Sequence, residues 1–196
     1  MNLYNFKDYG SLPNSFFWQT ELFNQSELDQ LQRIALSSTD NAHTVNSEGL
    51  DDTDINLRRT RVKWLHLNPD TMWIYTKINQ AVSHFNTNFF GFDLQNIEGL
   101  QMGNYTSQDQ GTYDWHRDDN PKMHCRKLSI SILLTHPEDY EGGDLLVNSD
   151  RDEVITLPRK RGIISVFPSY MYHKVTPVTK GSRQSLVTWI TGPRFK

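Results

Sequence analysis

A single cysteine, Cys125, is present among 196 residues. No intramolecular disulfide can form, and the expected home is a reducing compartment. Long apolar runs are missing too, since no stretch approaches a membrane span. The opening Met1-Asn-Leu-Tyr-Asn-Phe-Lys-Asp8 lacks the apolar centre of a secretory signal. A cytoplasmic protein with no membrane partner is therefore expected. There is no basic excess: the formal net charge is -3, which argues against a general affinity for nucleic acid. Internal repeats and low-complexity tracts are absent. The length suits one domain, 1–196, with a sizeable core or a core plus a helical cap.

What is there is aromatic in the N-terminal part and strand-like in the C-terminal part. Phe16-Phe-Trp18 reads as a short edge strand. Asn24 with Glu27 three residues on reads as a capped helix start, and Leu28, Leu31 and Ala35 follow at helical spacing to about Leu36. Ser37 to Asn56 is polar and reads as a long loop, the kind that serves as a lid or binding segment. Arg58-Arg-Thr-Arg-Val-Lys-Trp-Leu65 alternates and is the densest basic cluster. It is either a solvated strand face or a contact for an acidic substrate. Asn68-Pro-Asp70 is expected to open a second helix, whose Ile74, Ile78, Val82 and Phe85 repeat along one face.

From Ile97 onward the pattern changes to short strands. Lys127 to Thr135 alternates, with Leu128, Ile130, Ile132 and Leu134 on one side and Ser129 and Ser131 on the other. Glu141-Gly-Gly-Asp144 marks a tight connection. Lys180-Gly-Ser182 is expected to form a hairpin turn into a strand from Arg183 to Ile190. Regular short strands of this kind indicate a barrel or a double-sheet jelly roll.

Within that half lies Gly111-Thr-Tyr-Asp-Trp-His-Arg-Asp118. Residues i and i+2 of an extended segment share a face, so His116 and Asp118 are expected to converge beside the strand. They form two-thirds of the two-His-one-carboxylate set that binds non-haem Fe(II) and leaves positions open. His173 is the best third member. Arg183 stands ten residues later, where a cation suits the far carboxylate of a keto-acid cosubstrate. Ser185 follows on the same strand face, placed to bond the same group. Taken singly, each of these is as readily a solvated or core residue. Their joint occurrence in strand-rich sequence is specific. His43, His66, His84, His124 and His136 are weaker candidates, lying in loops or at element ends.

Together these passages resemble the 2-oxoglutarate- and Fe(II)-dependent oxygenase family, in its prolyl 4-hydroxylase-like branch. The resemblance covers about 97–193. It rests on Asn104-Tyr105, Tyr113-Asp-Trp-His-Arg-Asp118, Arg126-Lys-Leu-Ser-Ile-Ser-Ile132, Tyr140-Glu-Gly-Gly-Asp-Leu145, Gly162-Ile-Ile-Ser-Val-Phe-Pro168, and His173-Lys-Val-Thr-Pro-Val178 through Arg183. It implies a mainly β fold with a helical cap (α+β): a double-stranded β-helix, or jelly roll, over 97–193, with strands and helices of 1–96 packed on the sheet. It implies Fe(II), with 2-oxoglutarate and O2 as cosubstrates and ascorbate as a reductant. His116, Asp118 and His173 match the iron ligands, and Arg183 matches the residue that pairs with the distal carboxylate. Tyr105 matches a tyrosine lining the cosubstrate pocket. Some relatives carry a further tyrosine on the strand occupied here by Leu128 to Leu134. Ser129 or Ser131 substitutes for it, or Arg183 and Ser185 serve alone. No catalytic side chain beyond the metal ligands is implied.

The expected activity is hydroxylation of a C–H bond, foremost in a peptidyl proline, coupled to conversion of 2-oxoglutarate to succinate and CO2. A peptide or protein is the expected substrate, with a free amino acid as an alternative. A nucleic-acid dealkylase with the same cofactors fits less well with the acidic charge. A non-enzymatic cupin-like metal-binding protein would have no need of Arg183. A degenerate oxygenase kept as an interaction module would have no need of the intact set of four.

Overall fold

The computed structural model describes residues 18–38, 40–41, 44–45, 51–52, 54, 56–119, 125–148 and 153–194. In chain order the elements are β1 (Trp18–Glu21), α1 (Gln25–Leu36), β2 (Asp40–Asn41), β3 (Thr44–Val45), β4 (Asp51–Asp52), β5 (Arg58–Arg59), β6 (Arg61–Leu65) and α2 (Met72–Phe85). A π-turn, Asn86–Phe90, follows, then β7 (Asn96–Ile97), β8 (Leu100–Thr106), β9 (Thr112–His116) and β10 (Arg126–Leu133). The remainder is β11 (Tyr140–Gly142), β12 (Leu145–Asn148), β13 (Val154–Thr156), β14 (Ile163–Pro168), β15 (His173–Val175) and β16 (Val178–Thr191).

Two main antiparallel sheets result, besides the two-stranded β3–β4 pair. The larger runs β1-β14-β10-β16-β8-β6-β2, with β7 and β11 also pairing with β16. The smaller runs β13-β12-β15-β9-β5. Alternation along the large sheet separates its two faces. Leu128, Ile130 and Ile132 join Met102, Ile164, Leu186 and Ile190 on the face covered by the helices. There they meet Leu28, Leu31 and Ala35 of α1 and Ile74, Ile78, Val82 and Phe85 of α2. The opposite face carries Gln101, Tyr105, Ser129, Ser131, Arg183 and Ser185, all of which line a cavity that the small sheet also walls. This is the expected jelly roll with helices packed on one sheet.

Several local expectations need correction. Helix α1 starts as expected: the Asn24 side chain accepts from the Glu27 N–H at 3.0 Å, and the Glu27 carboxylate accepts from the Asn24 N–H at 2.8 Å. Helix α2 starts at Met72, later than Pro69 suggested. The Asn68 side chain accepts from the Asp70 and Thr71 N–H groups and holds 68–71 as a turn. Lys180-Gly-Ser182 is no hairpin; β16 runs through it as one strand. Gly181, at φ +67, bends the strand without ending it, and a Cβ there would strike the Asp139 carbonyl. The stretch 37–56 is not wholly loop, because β2 pairs with β6 and β3 with β4. Residues 39, 42–43, 46–50, 53 and 55 lie outside the described residues, and with them the lid expectation. Phe16, Phe17, His43 and residues 120–124 also lie outside.

Asn24→Ala removes one side of the reciprocal cap. It is expected to cost about 1 kcal/mol of stability, read as a lowered urea midpoint with an unchanged slope.

Candidate metal centre

His116 and His173 come together because β9 and β15 are antiparallel neighbours and pair these two residues directly. The next pair in that ladder is Val175 with Tyr113, so β9 holds three residue steps against two in β15. This bulge places Tyr113 and His116 on one face, where their rings stack at 3.4 Å between centroids. Asp118 arrives differently from the expectation. Strand β9 ends at His116, and Asp118 lies in a bend whose N–H donates to the Ser169 carbonyl at 2.9 Å. The convergence holds although the same-face argument does not apply at Asp118.

The three ligand atoms lie within 4.8 Å of one another. His116 Nε2 is 3.8 Å from Asp118 Oδ1, and His173 Nε2 is 3.3 Å from Asp118 Oδ2. Ligands at ordinary metal–nitrogen distance and roughly at right angles sit about 3 Å apart. The set therefore fits a single ion with little movement. Each histidine directs Nδ1 at a backbone carbonyl two residues earlier, Asp114 at 2.7 Å and Met171 at 3.0 Å. A carbonyl only accepts, so Nδ1 carries the proton and Nε2 of the neutral ring offers its lone pair.

Charge in the triad follows from burial. Burial, helped by the neighbouring His173 charge, presses His116 down to about 3. Burial pushes His173 the same way, but the Asp118 carboxylate outweighs it and leaves His173 raised. Burial raises Asp118, yet the imidazoles outweigh it and hold this carboxyl well below the usual carboxylate range. A bound ion would supply positive charge beside the Asp118 carboxylate. Tyr113 is pushed up to about 12 by burial and stays a neutral phenol.

Two serines complete the support. Ser129 donates to Asp118 Oδ2 at 2.6 Å, and its oxygen lies 3.0 Å from that of Ser169. Ser129 therefore holds the carboxylate ligand and is not available to a distal group. Ser131, one step along β10 on the same face, lines the cavity instead. Neither serine's role was legible, because Ser169 meets Ser129 only through the β10–β14 pairing.

The cavity measures about 480 Å³, within the range of small-molecule sites. The triad stands in one wall and Arg183 in another. Arg183 is buried and pairs across the sheet with Tyr105, its guanidinium 5.4 Å from that ring. It donates to Ser185 Oγ at 3.1 Å. No carboxylate pairs with it among the described residues, so a buried cation faces the cavity uncompensated. A ligand carboxylate would satisfy it with two parallel hydrogen bonds. Lys127 and Arg194 do not line the cavity. The basic cluster at 58–63 divides: Lys63 is exposed, whereas Arg58 is buried and lines the cavity.

Ser129→Ala frees the Asp118 carboxylate to rotate. We expect divalent-metal affinity to fall about 10–100-fold, measured by calorimetric titration, with the fold retained.

Comparison with known proteins agrees with this geometry. Residues 100–191 match the model of the 2OG-Fe(II) oxygenase superfamily. The chain is 37% identical over 86 residues to a PKHD-type hydroxylase of Alteromonas mediterranea, covering 40% of this chain and 38% of that protein. It is 38% identical over 84 residues to one of Colwellia psychrerythraea, covering 41% and 37%. The chain thus spans about two-fifths of the length of these relatives. Its fold resembles a Pseudomonas putida prolyl-4-hydroxylase, with a TM-score of 0.71 at 18% identity over 92% of this chain and 94% of that one. It also resembles a Trichoplax adhaerens prolyl hydroxylase in complex with a hypoxia inducible factor peptide, with a TM-score of 0.77 at 13% identity over 91% and 84%. Residues 100–191, which hold the triad and Arg183, are thus similar to the 2OG-Fe(II) oxygenase superfamily.

Proposed function

We propose that this protein is a 2-oxoglutarate- and Fe(II)-dependent dioxygenase that hydroxylates a C–H bond of an amino-acid residue, prolyl in the first instance. One observation carries the reading: a three-ligand metal set and an uncompensated buried guanidinium face the same cavity of about 480 Å³. A metal-binding module without 2-oxoglutarate has no use for that guanidinium. The hydroxylase names of the partial relatives and the prolyl hydroxylase fold support the substrate class. The peptide held by one neighbour supports a peptide or protein over a free amino acid. We place the protein in the cytoplasm on its free cysteine, and no helix among the described residues is long and apolar enough to cross a membrane. We treat 1–196 as one domain in which 1–96 supports the core at 97–193.

When bound, Fe(II), 2-oxoglutarate and O2 supply the oxidation, with succinate and CO2 as coproducts and ascorbate as a reductant. The chain's part is to hold and orient. His116 and His173 would present Nε2 and Asp118 one carboxylate oxygen, with Ser129 limiting its rotation. Arg183 and Ser185 would grip the distal carboxylate of 2-oxoglutarate beside Tyr105. Leu145, Phe167, Val175 and Val187 line the same cavity and keep it poor in water. No side chain is needed as acid or base.

His173→Ala is expected to abolish stoichiometric Fe(II) binding, read by metal analysis after desalting; full occupancy would remove it from the ligand set. Arg183→Ala leaves a ligand carboxylate unpaired, a loss of about 2–5 kcal/mol. The apparent 2-oxoglutarate requirement should rise by about tenfold or more while metal binding is spared. Arg183→Lys should recover part of the loss, since the charge remains and the fork does not. An unchanged requirement in Arg183→Ala would assign the carboxylate to another group.

A further inference from the structure

Arg183 is not the cavity's sole uncompensated cation. Arg58 leaves β5 opposite Tyr113 and is only 7% exposed. Its guanidinium lies over the Tyr113 ring at 4.6 Å. It donates from Nη2 to the Gln101 side-chain oxygen at 2.7 Å, a bond that joins the small sheet to the large one. Its Nε–H is buried with no hydrogen-bond partner among the described residues. No carboxylate there pairs with it. Other arginines on the cavity wall differ: Arg126 is bound to Glu98 at 2.7 Å, and Arg117 lies 3.4 Å from Asp119.

The bond to Arg58 also fixes the Gln101 amide. Its oxygen accepts from the guanidinium, so its NH2 turns to the remaining side, and Gln101 lines the cavity. Arg58 and Gln101 together present donors only, with one net positive charge. A group that satisfies them must accept hydrogen bonds and carry negative charge, as a carboxylate does. Tyr113 sits between Arg58 and His116, stacked on both, so such a group would stand one aromatic ring from the metal ligands. Arg183 lies on β16 of the other sheet, next to Tyr105.

We infer that Arg58 and Gln101 form a subsite for a carboxylate of the substrate, so that the residue hydroxylated lies next to an acidic side chain or a free C-terminal carboxylate. This rests on the oxygenase reading and narrows its substrate class.

The test is direct binding. Protein loaded with Mn(II) and 2-oxoglutarate is titrated by calorimetry with matched probes. These are N-acetyl-L-proline against N-acetyl-L-prolinamide, and short prolyl peptides differing only in Asp for Asn, Glu for Gln, or a free for an amidated C-terminus. At least one acid should bind about tenfold or more tighter than its amide. That ratio should fall to about twofold or less in Arg58→Gln and in Gln101→Glu, where an internal carboxylate neutralises the guanidinium while the cross-sheet bond persists. Gln101→Glu carries the test should Arg58→Gln not fold. Arg59→Gln, altered at a half-buried neighbour bonded to the Gln110 carbonyl, should keep the ratio. Equal binding of every pair, or no binding by any, overturns the inference, as does a ratio that survives Gln101→Glu. So does a 2-oxoglutarate affinity that drops about tenfold in Arg58→Gln, which would assign Arg58 to the cosubstrate. Failure of the oxygenase reading shows elsewhere, as no succinate from the Fe(II)-loaded wild type in air. An acid preference that persists there would still support the subsite.

Discussion

Period-two alternation on the large sheet is the constraint on which the rest depends. In β10 the residues Leu128, Ile130 and Ile132 face the helices, and Ser129 and Ser131 face the cavity. In β16 Leu186 and Ile190 face the helices, while Arg183 and Ser185 face the cavity. A one-residue slip of β16 would turn the guanidinium under the helices and leucine to the cavity, and a slip of β10 would do the same with its serines and isoleucines. The register that seals the core under α1 and α2 is thus the register that aims Arg183. Apolar burial, at about 25 cal/mol per Å², is what holds the polar wall in place.

The small sheet contributes what the large one cannot, a pair of imidazoles side by side. The β9–β15 ladder makes them neighbours, and the bulge in β9 turns Tyr113 to their side. Asp118 then bridges the two sheets. Its backbone is fixed by Ser169 and its carboxylate by Ser129 of β10. Each ligand is oriented by a hydrogen bond from outside the triad, so little entropy remains to be lost when an ion binds. The Ser129–Asp118 contact also couples the two walls, since a shift of β10 against β9 would open the ligand set.

Much of this was legible in the residues, and the illegible parts share a cause. Alternation in 127–135 and helical spacing in 28–35 and 74–85 reflect burial, which composition records directly. His116, Asp118, His173 and Arg183 were readable as candidates because metal and carboxylate binding call for those residue types, and the fold brings them to one cavity. The bulge was not readable, because an extra residue in a strand has no compositional mark. Nor was the end of β9 before Asp118, which depends on the Ser169 carbonyl accepting from two successive N–H groups. Pro69 misled because the Asn68 side chain closes a turn ahead of α2. Arg58 could not be told from Arg59, Arg61 or Lys63 by sequence. Only the crossing of the chain from β5 in one sheet to β6 in the other separates their environments.

That crossing leads to a question of charge. A buried cation is ordinarily matched by an acid, as Arg161 is by Asp29 at 2.8 Å. Arg58 and Arg183 are both buried, and neither has such a partner among the described residues. A buried donor without an acceptor costs about 1–3 kcal/mol, and an unpaired charge costs more. Placing glutamate at Gln101 would relieve one of these costs with almost no change of shape. The chain holds an amide there, which orders the guanidinium without neutralising it. Destabilisation kept in this form is released by an anion from outside, and the same deficit appears at Arg183. Two separate anionic groups, one for each guanidinium, balance this cavity better than one. On the proposed reading 2-oxoglutarate would supply a carboxylate for Arg183, and a carboxylate of the substrate would serve Arg58.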